Sequence, residues 1–312
     1  MKVKKDISII IVSYNVAELL KQCIKSILKN IKGLNFEIII VDNNSSDNTA
    51  DILKEFPKIK IIFNNSNLGF AKANNQALEI ATGEYVCFLN PDTIVHSDAF
   101  EILINYVKND SRIGAVGPML LNKDGPIQYS AYYLPSIWNL IYRFFDLRMM
   151  VKFLNNLSFK VFRRNLVSLS TERNYDKPFL AEWIIGACIL MPRKVVLTLG
   201  GFDEDYFLYW DEIDLCKRLV DEDYKIYVVP QAHITHLIGQ STINIKEFST
   251  LQWYKGLFLF CKKHFSLLSC LLVKIFLSIS ILFNIIIGGH FLKKNYYDRF
   301  TALKILKIIW II

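Results

Sequence analysis

Asp92 closes the run FLNPD at residues 88–92, where a stretch that reads as a buried strand stops in Asn90, Pro91 and Asp92. A carboxylate on the rim of a sheet can hold a divalent cation and, through it, a diphosphate. Asn-Pro-Asp is also an ordinary turn sequence, so the run gains meaning only in company. A second cluster is WDEID at 210–214, which sets Asp211, Glu212 and Asp214 in the first turn of a predicted helix. Acidic residues there complement the helix dipole. Neighbouring carboxylates also raise one another's proton affinity, as a general base working near neutral pH requires.

Alternating elements must position these groups. Residues 7–12 and 36–41 are continuous β-branched runs of the kind found in strands covered on both faces. Between them Leu19, Leu20, Cys23, Ile24, Ile27, Leu28 and Ile31 recur at helical spacing, with Asn15 and Glu18 placed as a capping box. The pattern repeats with a strand at 59–63, a helix at 70–81 ended by Gly83, and a strand at 84–89 that delivers Asp92. Further on, 183–191 reads as one strand, 193–199 as a short helix, 211–220 as the acidic helix and 225–229 as a strand. Such alternation predicts an α/β doubly wound sheet with ligands outside the carboxyl ends of its strands. GxGxxG and GxxxxGK[ST] are both absent, which argues against dinucleotide and P-loop sites.

The chain has 312 residues and a net charge of +8. That excess lies in residues 243–312, with ten Lys and Arg against two acidic residues, whereas residues 1–242 carry 27 of each sign. A basic, strongly apolar tail suits an anionic membrane surface better than a nucleic-acid groove, and no nucleic-acid partner is expected. Residues 265–289 hold 16 Leu, Ile, Val or Phe in 25. At about 1.5 Å per residue they are long enough for the roughly 30 Å hydrocarbon layer, while Lys274 and Asn284 oppose insertion. Spanning the membrane and lying in its interface are both left open. Residues 122–178 read as an irregular basic and aromatic insertion, either a solvated surface segment or an acceptor-binding or membrane-facing loop. The six cysteines, without CxxC pairing, read as core residues of a reduced compartment.

Six motifs in order resemble the family 2 glycosyltransferases of GT-A fold, in particular their rhamnosyltransferase-like members of bacterial surface polysaccharide biosynthesis. They are VSYN at 12–15, VDNNSSDNT at 41–49, NLGFAKANNQA at 67–77, FLNPD, and GGFDEDYFLYWDEIDLCKR at 200–218 followed by HLIGQS at 236–241. The resemblance implies a GT-A domain over 1–242, with a mixed, mainly parallel sheet and helices on both faces, and a helical membrane-associated segment over 243–312. Ser13, Asp42, Asn43, Asn67, Asn90 and Asp92 would bind a nucleotide sugar, Asp42 at the base. Asn43 stands where many relatives carry a second Asp, and Asn90 replaces the first Asp of the family's Asp-x-Asp. Asp92 and His236 would hold Mg or Mn, Glu212 would be the catalytic base and Asp211 its reserve.

The implied activity is inverting, metal-dependent transfer of a sugar, by analogy rhamnose from dTDP-rhamnose, to a lipid-linked or growing polysaccharide at the cytoplasmic face of a membrane. A UDP-hexose enzyme and a non-catalytic nucleotide-sugar-binding or membrane scaffold are the alternatives. The oligomeric state is left unassigned.

Overall fold

The computed structural model describes residues 5–145, 175–237, 246–287 and 299–311. The chain divides into two compact units, residues 1–133 with 173–244 and residues 134–172 with 245–312. The segment read as one insertion, 122–178, is therefore shared between them, and its basic stretch at 146–174 lies outside the described residues.

The first unit contains strands β1 (Ile7–Ser13), β2 (Phe36–Asp42), β3 (Lys60–Phe63), β4 (Tyr85–Leu89), β5 (Thr93–Val95), β6 (Ile113–Leu121), β7 (Ile127–Gln128), β8 (Ala131–Tyr132), β9 (Phe179–Ala181), β10 (Trp183–Ile184), β11 (Cys188–Pro192) and β12 (Lys225–His236). Its helices are α1 (Ala17–Asn30), α2 (Thr49–Leu53), α3 (Phe70–Ile80), α4 (Ala99–Val107), α6 (Arg193–Thr198) and α7 (Asp211–Asp221). The main sheet runs in the order β3-β2-β1-β4-β11-β6-β12-β5, with β7 beside β6 and β9 beside β12. Strands β1 to β4 are parallel to one another, β6 is parallel to β12, β11 runs antiparallel to β4 and β6, and β5 antiparallel to β12. The mixed α/β sheet expected from the sequence is thus present.

Alternate residues of the central strands feed two cores. Ile7, Ile9, Ile11, Ile38, Ile40, Cys87 and Leu89 pack on the face that holds α1 and α4. Ile10, Val12, Ile39, Val41, Val86 and Phe88 pack on the face that holds α3, α6 and α7. Burial on both faces explains why these strands are continuous apolar runs without alternation. All six cysteines are buried and free.

Three local expectations are corrected. The capping box at Asn15 and Glu18 does not form: the N-cap of α1 is Val16, and the Ala17 N–H donates instead to Asp47 Oδ2 at 2.9 Å. Asn15 takes a left-handed backbone and accepts from the Ser46 N–H at 2.7 Å, so its side chain braces the turn after β2. The single strand expected at 183–191 is two, because the chain turns at residues 185–187. β10 then pairs with β8 in a separate two-stranded sheet, and β11 enters the main sheet.

The third correction concerns the second unit, which contains α5 (Ile137–Phe145), α8 (Lys246–His264), α9 (Leu267–Ile287) and α10 (Arg299–Ile311). The apolar segment is helical as α9, yet among the described residues no helix is long and apolar enough to cross a membrane. The spanning alternative for 265–289 gains no support, in keeping with the opposition of Lys274. One face of α9 (Cys270, Val273, Leu277, Ser278 and Ile281) is buried, with Phe258, Phe260, Ile305 and Ile309 of α8 and α10 also in the core. Lys304 joins Glu247 at 2.6 Å.

Candidate active site

Ser13 and Asp42 end β1 and β2 as register partners, which sets them side by side at the carboxyl edge of the sheet. Both are buried, and Ser13 Oγ and Asp42 Oδ1 have no hydrogen-bond partner among the described residues. The other carboxylate oxygen of Asp42 accepts from the Ser45 N–H at 3.3 Å. Buried polar atoms left without partners mark a place where a ligand can complete them.

Asn43 is engaged within the protein. Its Nδ2 donates to Gly69 O at 3.0 Å, and its Oδ1 accepts from Asn64 Nδ2 at 2.9 Å and the Leu68 N–H at 3.4 Å. Asn67 Oδ1 accepts from the Gly69 N–H at 3.0 Å. These bonds hold the 64–69 loop against the end of β2. Gly69 sits at φ +88°, and a Cβ there would meet Phe207 O at 2.6 Å, so only glycine lets the two loops touch. The Phe70 N–H donates to that same carbonyl at 2.7 Å.

Asp92 and His236 meet because β5 and β12 pair with His236 opposite Thr93, while the Leu237 N–H donates to Asp92 O at 2.9 Å. His236 Nε2 then lies 3.4 Å from Asp92 Oδ1, and both residues are buried. The other ring nitrogen, Nδ1, lies 3.2 Å from Gln128 Oε1. Asn90 stays at the end of β4, its N–H donating to Ala187 O at 2.9 Å and its carbonyl accepting from Thr93 Oγ1 at 2.7 Å.

Among the described residues no group of three or more His, Cys, Asp or Glu is gathered for a metal. Asp92 and His236 nevertheless fit one as a two-donor set, a buried carboxylate facing an imidazole, with positions left for ligand oxygens and water.

Asp211 and Glu212 open α7 after Tyr209 and Trp210, two consecutive left-handed residues that are rare outside glycine. Gly186 lies against the Glu212 side chain: a Cβ added at Gly186 would meet Glu212 Cβ at 3.5 Å. The neighbouring Ala187 receives the Asn90 N–H, so the Asp92 turn and the Glu212 helix start flank the same two residues. Burial, and then the Glu212 charge, push the Asp211 carboxyl well above its usual range. Burial also raises Glu212, opposed by hydrogen bonds from Asp211 and from backbone N–H groups at the helix start. Both carboxyls are thus held above their usual range, as two acidic groups sharing a buried position require.

Asp214 turns away into structure. It pairs with Arg218 at 2.8 Å, and that guanidinium donates to Leu199 O at 2.8 Å and Gly201 O at 2.9 Å. Asn75 holds both backbone polar atoms of Phe202, at 2.8 and 2.9 Å. The 200–210 loop is therefore fixed from both sides.

A sequence profile described as glycosyl transferase family 2 matches residues 8–170, more than half of the chain. The chain belongs to glycosyl transferase family 2. It is 27% identical over 217 residues to an N-acetylglucosaminyl-diphospho-decaprenol L-rhamnosyltransferase of Mycobacterium tuberculosis, a match covering 66% of this chain and 67% of that protein. Rhamnosyltransferase WbbL of Escherichia coli (strain K12) is 26% identical over 238 residues, covering 73% of this chain and 82% of that one.

Among solved structures, the mannosyltransferase PcManGT from Pyrobaculum calidifontis, in complex with GDP-Man and Mn2+, superimposes with a TM-score of 0.57 at 16% identity, covering 99% of this chain and 86% of its own. GalNAc-T7 with UDP, GalNAc and Mn2+ gives a TM-score of 0.58 at 12% identity, covering 99% of this chain and 56% of its own. These likenesses show a shared fold of GT-A type.

This family 2 glycosyltransferase thus brings Ser13 beside Asp42 and Asp92 beside His236, with Asp211 and Glu212 next to the Asp92 turn. Gln128, Asp47 and Phe207 also shape the site and escaped sequence reasoning. Each acts through a contact distant in sequence: Asp47 and Phe207 lie inside quoted motifs that do not show these contacts, and Gln128 lies in none.

Proposed function

We propose that this glycosyltransferase transfers a 6-deoxyhexose such as rhamnose from a nucleoside diphosphate to a lipid-linked saccharide, with inversion and with a divalent metal. The reading is carried by the buried Asp92–His236 pair, a carboxylate oxygen 3.4 Å from an imidazole nitrogen. Such a carboxylate suits a cation and the diphosphate that the cation would neutralise. Asp92 and His236 would hold the metal, which would supply positive charge for the leaving diphosphate.

Ser13 and Asp42 complete their missing hydrogen bonds on the nucleoside. Asn43 and Asn67 shape the loop that walls the pocket, and Asn90 lines the turn leading to Asp92. Glu212 accepts the proton of the acceptor hydroxyl, whose oxygen bonds to the anomeric carbon as the bond from that carbon to the diphosphate oxygen breaks. A single displacement inverts that carbon. Asp211, holding its own proton, steadies the Glu212 carboxylate by hydrogen bonding.

The acceptor class and the donor sugar follow the two rhamnosyltransferase relatives. The site of action is the cytoplasmic face of a membrane, and the outward residues of α9 and α10 support the membrane-surface part of that reading. Leu267, Leu268, Leu271, Ile275, Ile279 and Leu282 are exposed on α9, and Phe300, Leu303 and Trp310 on α10, in the part of the chain that carries the basic excess.

The test is a transfer assay with dTDP-rhamnose, UDP-glucose, UDP-N-acetylglucosamine or GDP-mannose. The acceptor is a polyprenyl-diphosphate N-acetylglucosamine in vesicles with or without anionic lipid. The expected result is manganese-dependent transfer from dTDP-rhamnose, faster on anionic vesicles, giving a product whose new linkage is inverted by NMR. Transfer from a UDP-hexose alone would replace the donor, retention would contradict the single displacement, and no transfer from any donor would favour the scaffold alternative.

A further inference from the structure

The strand pair β8–β10 gathers aromatic side chains beside the reacting groups without burying all of them. Tyr132 and Trp183 stack with ring centroids 4.6 Å apart and planes 20° from parallel. Tyr129 is 61% exposed and Tyr133 is 42% exposed. The backbone beneath them is fixed: the Ile185 N–H donates to Ser130 O at 2.9 Å and the Glu182 N–H to Tyr132 O at 3.0 Å. Trp183 Nε1 donates to Tyr133 O at 2.9 Å, and the Tyr132 hydroxyl donates to Tyr129 O at 3.0 Å.

Two anchors place this cluster at the site. Tyr129 follows Gln128, whose amide lies 3.2 Å from His236 Nδ1. Trp183 stands three residues before Gly186, which packs on Glu212. At about 3.3 Å per residue, Tyr129 lies within about 4 Å of Gln128 along the chain, and Trp183 within about 10 Å of Gly186.

We propose that Tyr129, Tyr132, Tyr133 and Trp183 form a stacking platform for a pyranose ring of the acceptor, holding its reactive hydroxyl toward Glu212. The inference rests on the glycosyltransferase reading of the site and adds the surface that receives the acceptor. A pyranose presents a patch of C–H groups, slightly positive, that matches the negative face of an aromatic ring. Its hydroxyls remain at the rim and in water. Aromatic rings with two side-chain torsions lose little entropy on binding, and their stacking here has already removed part of that freedom. Tyr129 is mostly open to solvent, so fold stability does not explain an aromatic side chain there.

The experiment uses the full-length protein and saturation-transfer NMR with the methyl pyranosides of glucose, galactose, mannose, N-acetylglucosamine and rhamnose. Binding of dTDP and UDP is measured on the same samples. At least one pyranoside is expected to receive saturation. Tyr129→Ala and Trp183→Phe are expected to weaken it about tenfold, with nucleotide affinity and melting temperature unchanged. Tyr129→Ala keeps the test valid if Trp183→Phe disturbs the strand pair, because the Tyr129 side chain is mostly exposed. Equal pyranoside binding in wild type and Tyr129→Ala, or nucleotide binding with no pyranoside bound, would overturn the platform. Variant-sensitive pyranoside binding with no nucleotide binding would leave the platform standing and remove the donor-site reading instead.

Discussion

Glu212→Gln is expected to lower kcat by about 10²- to 10⁴-fold while nucleotide affinity stays within twofold, because a general base acts on the acceptor proton and not on the donor. The amide keeps the size and the backbone contacts of the helix start and loses only the lone-pair basicity. Equal losses in donor affinity would instead place Glu212 in the nucleotide pocket. The pH profile adds a second readout. Burial raises both carboxyls, so transfer should climb with pH through a midpoint above the usual carboxylate range, and that limb should vanish in Glu212→Gln.

Linkage runs the other way for stability. A carboxyl whose folded pKa is raised stabilises the fold fully below its unfolded value, and the contribution is lost as pH rises through the raised value. Asp211→Asn, which keeps a hydrogen-bond donor toward Glu212, should flatten the fall of melting temperature over that window.

Asp92→Ala should be as severe, with a different signature. Removing the buried carboxylate that faces His236 takes away the anionic donor of the metal pair, and the leaving diphosphate would lose its charge partner. Transfer should drop about 10³-fold or more, and the manganese-dependent part of nucleoside diphosphate binding should disappear. Binding of the nucleoside alone should survive, because Ser13 and Asp42 lie at the ends of other strands. Manganese-dependent binding that persists in Asp92→Ala would move the metal elsewhere.

Much of this architecture was legible because burial on both faces writes itself as unbroken β-branched runs. That is why β1, β2 and β4 fell within a residue or two of their expected bounds and delivered Ser13, Asp42 and Asp92 to one edge. The less legible parts depend on pairings distant in sequence. β12 runs on to His236, past a bulge between Val229 and His233, because β6 and β5 flank it; Pro230 interrupts the apolar run and hides the alternation of QAHITH that follows. Gly186 divides one apolar run into strands of two different sheets, and only the partners β8 and β4 reveal it.

Side-chain roles show the same limit. Asn15 and Asn43 look alike as ligand or capping groups, yet one braces the 45–47 turn and the other ties β2 to the Gly69 loop. Gln128 has no motif, and its place beside His236 comes from β7 adding to β6.

The most direct test of the account is the position of the metal itself. Crystals grown with manganese and dTDP, measured at the manganese absorption edge, should show one strong anomalous peak within about 2.5 Å of an Asp92 oxygen and of His236 Nε2, contacting the diphosphate. Nucleotide density against Ser13 and Asp42 with manganese bound away from Asp92 and His236 would contradict it.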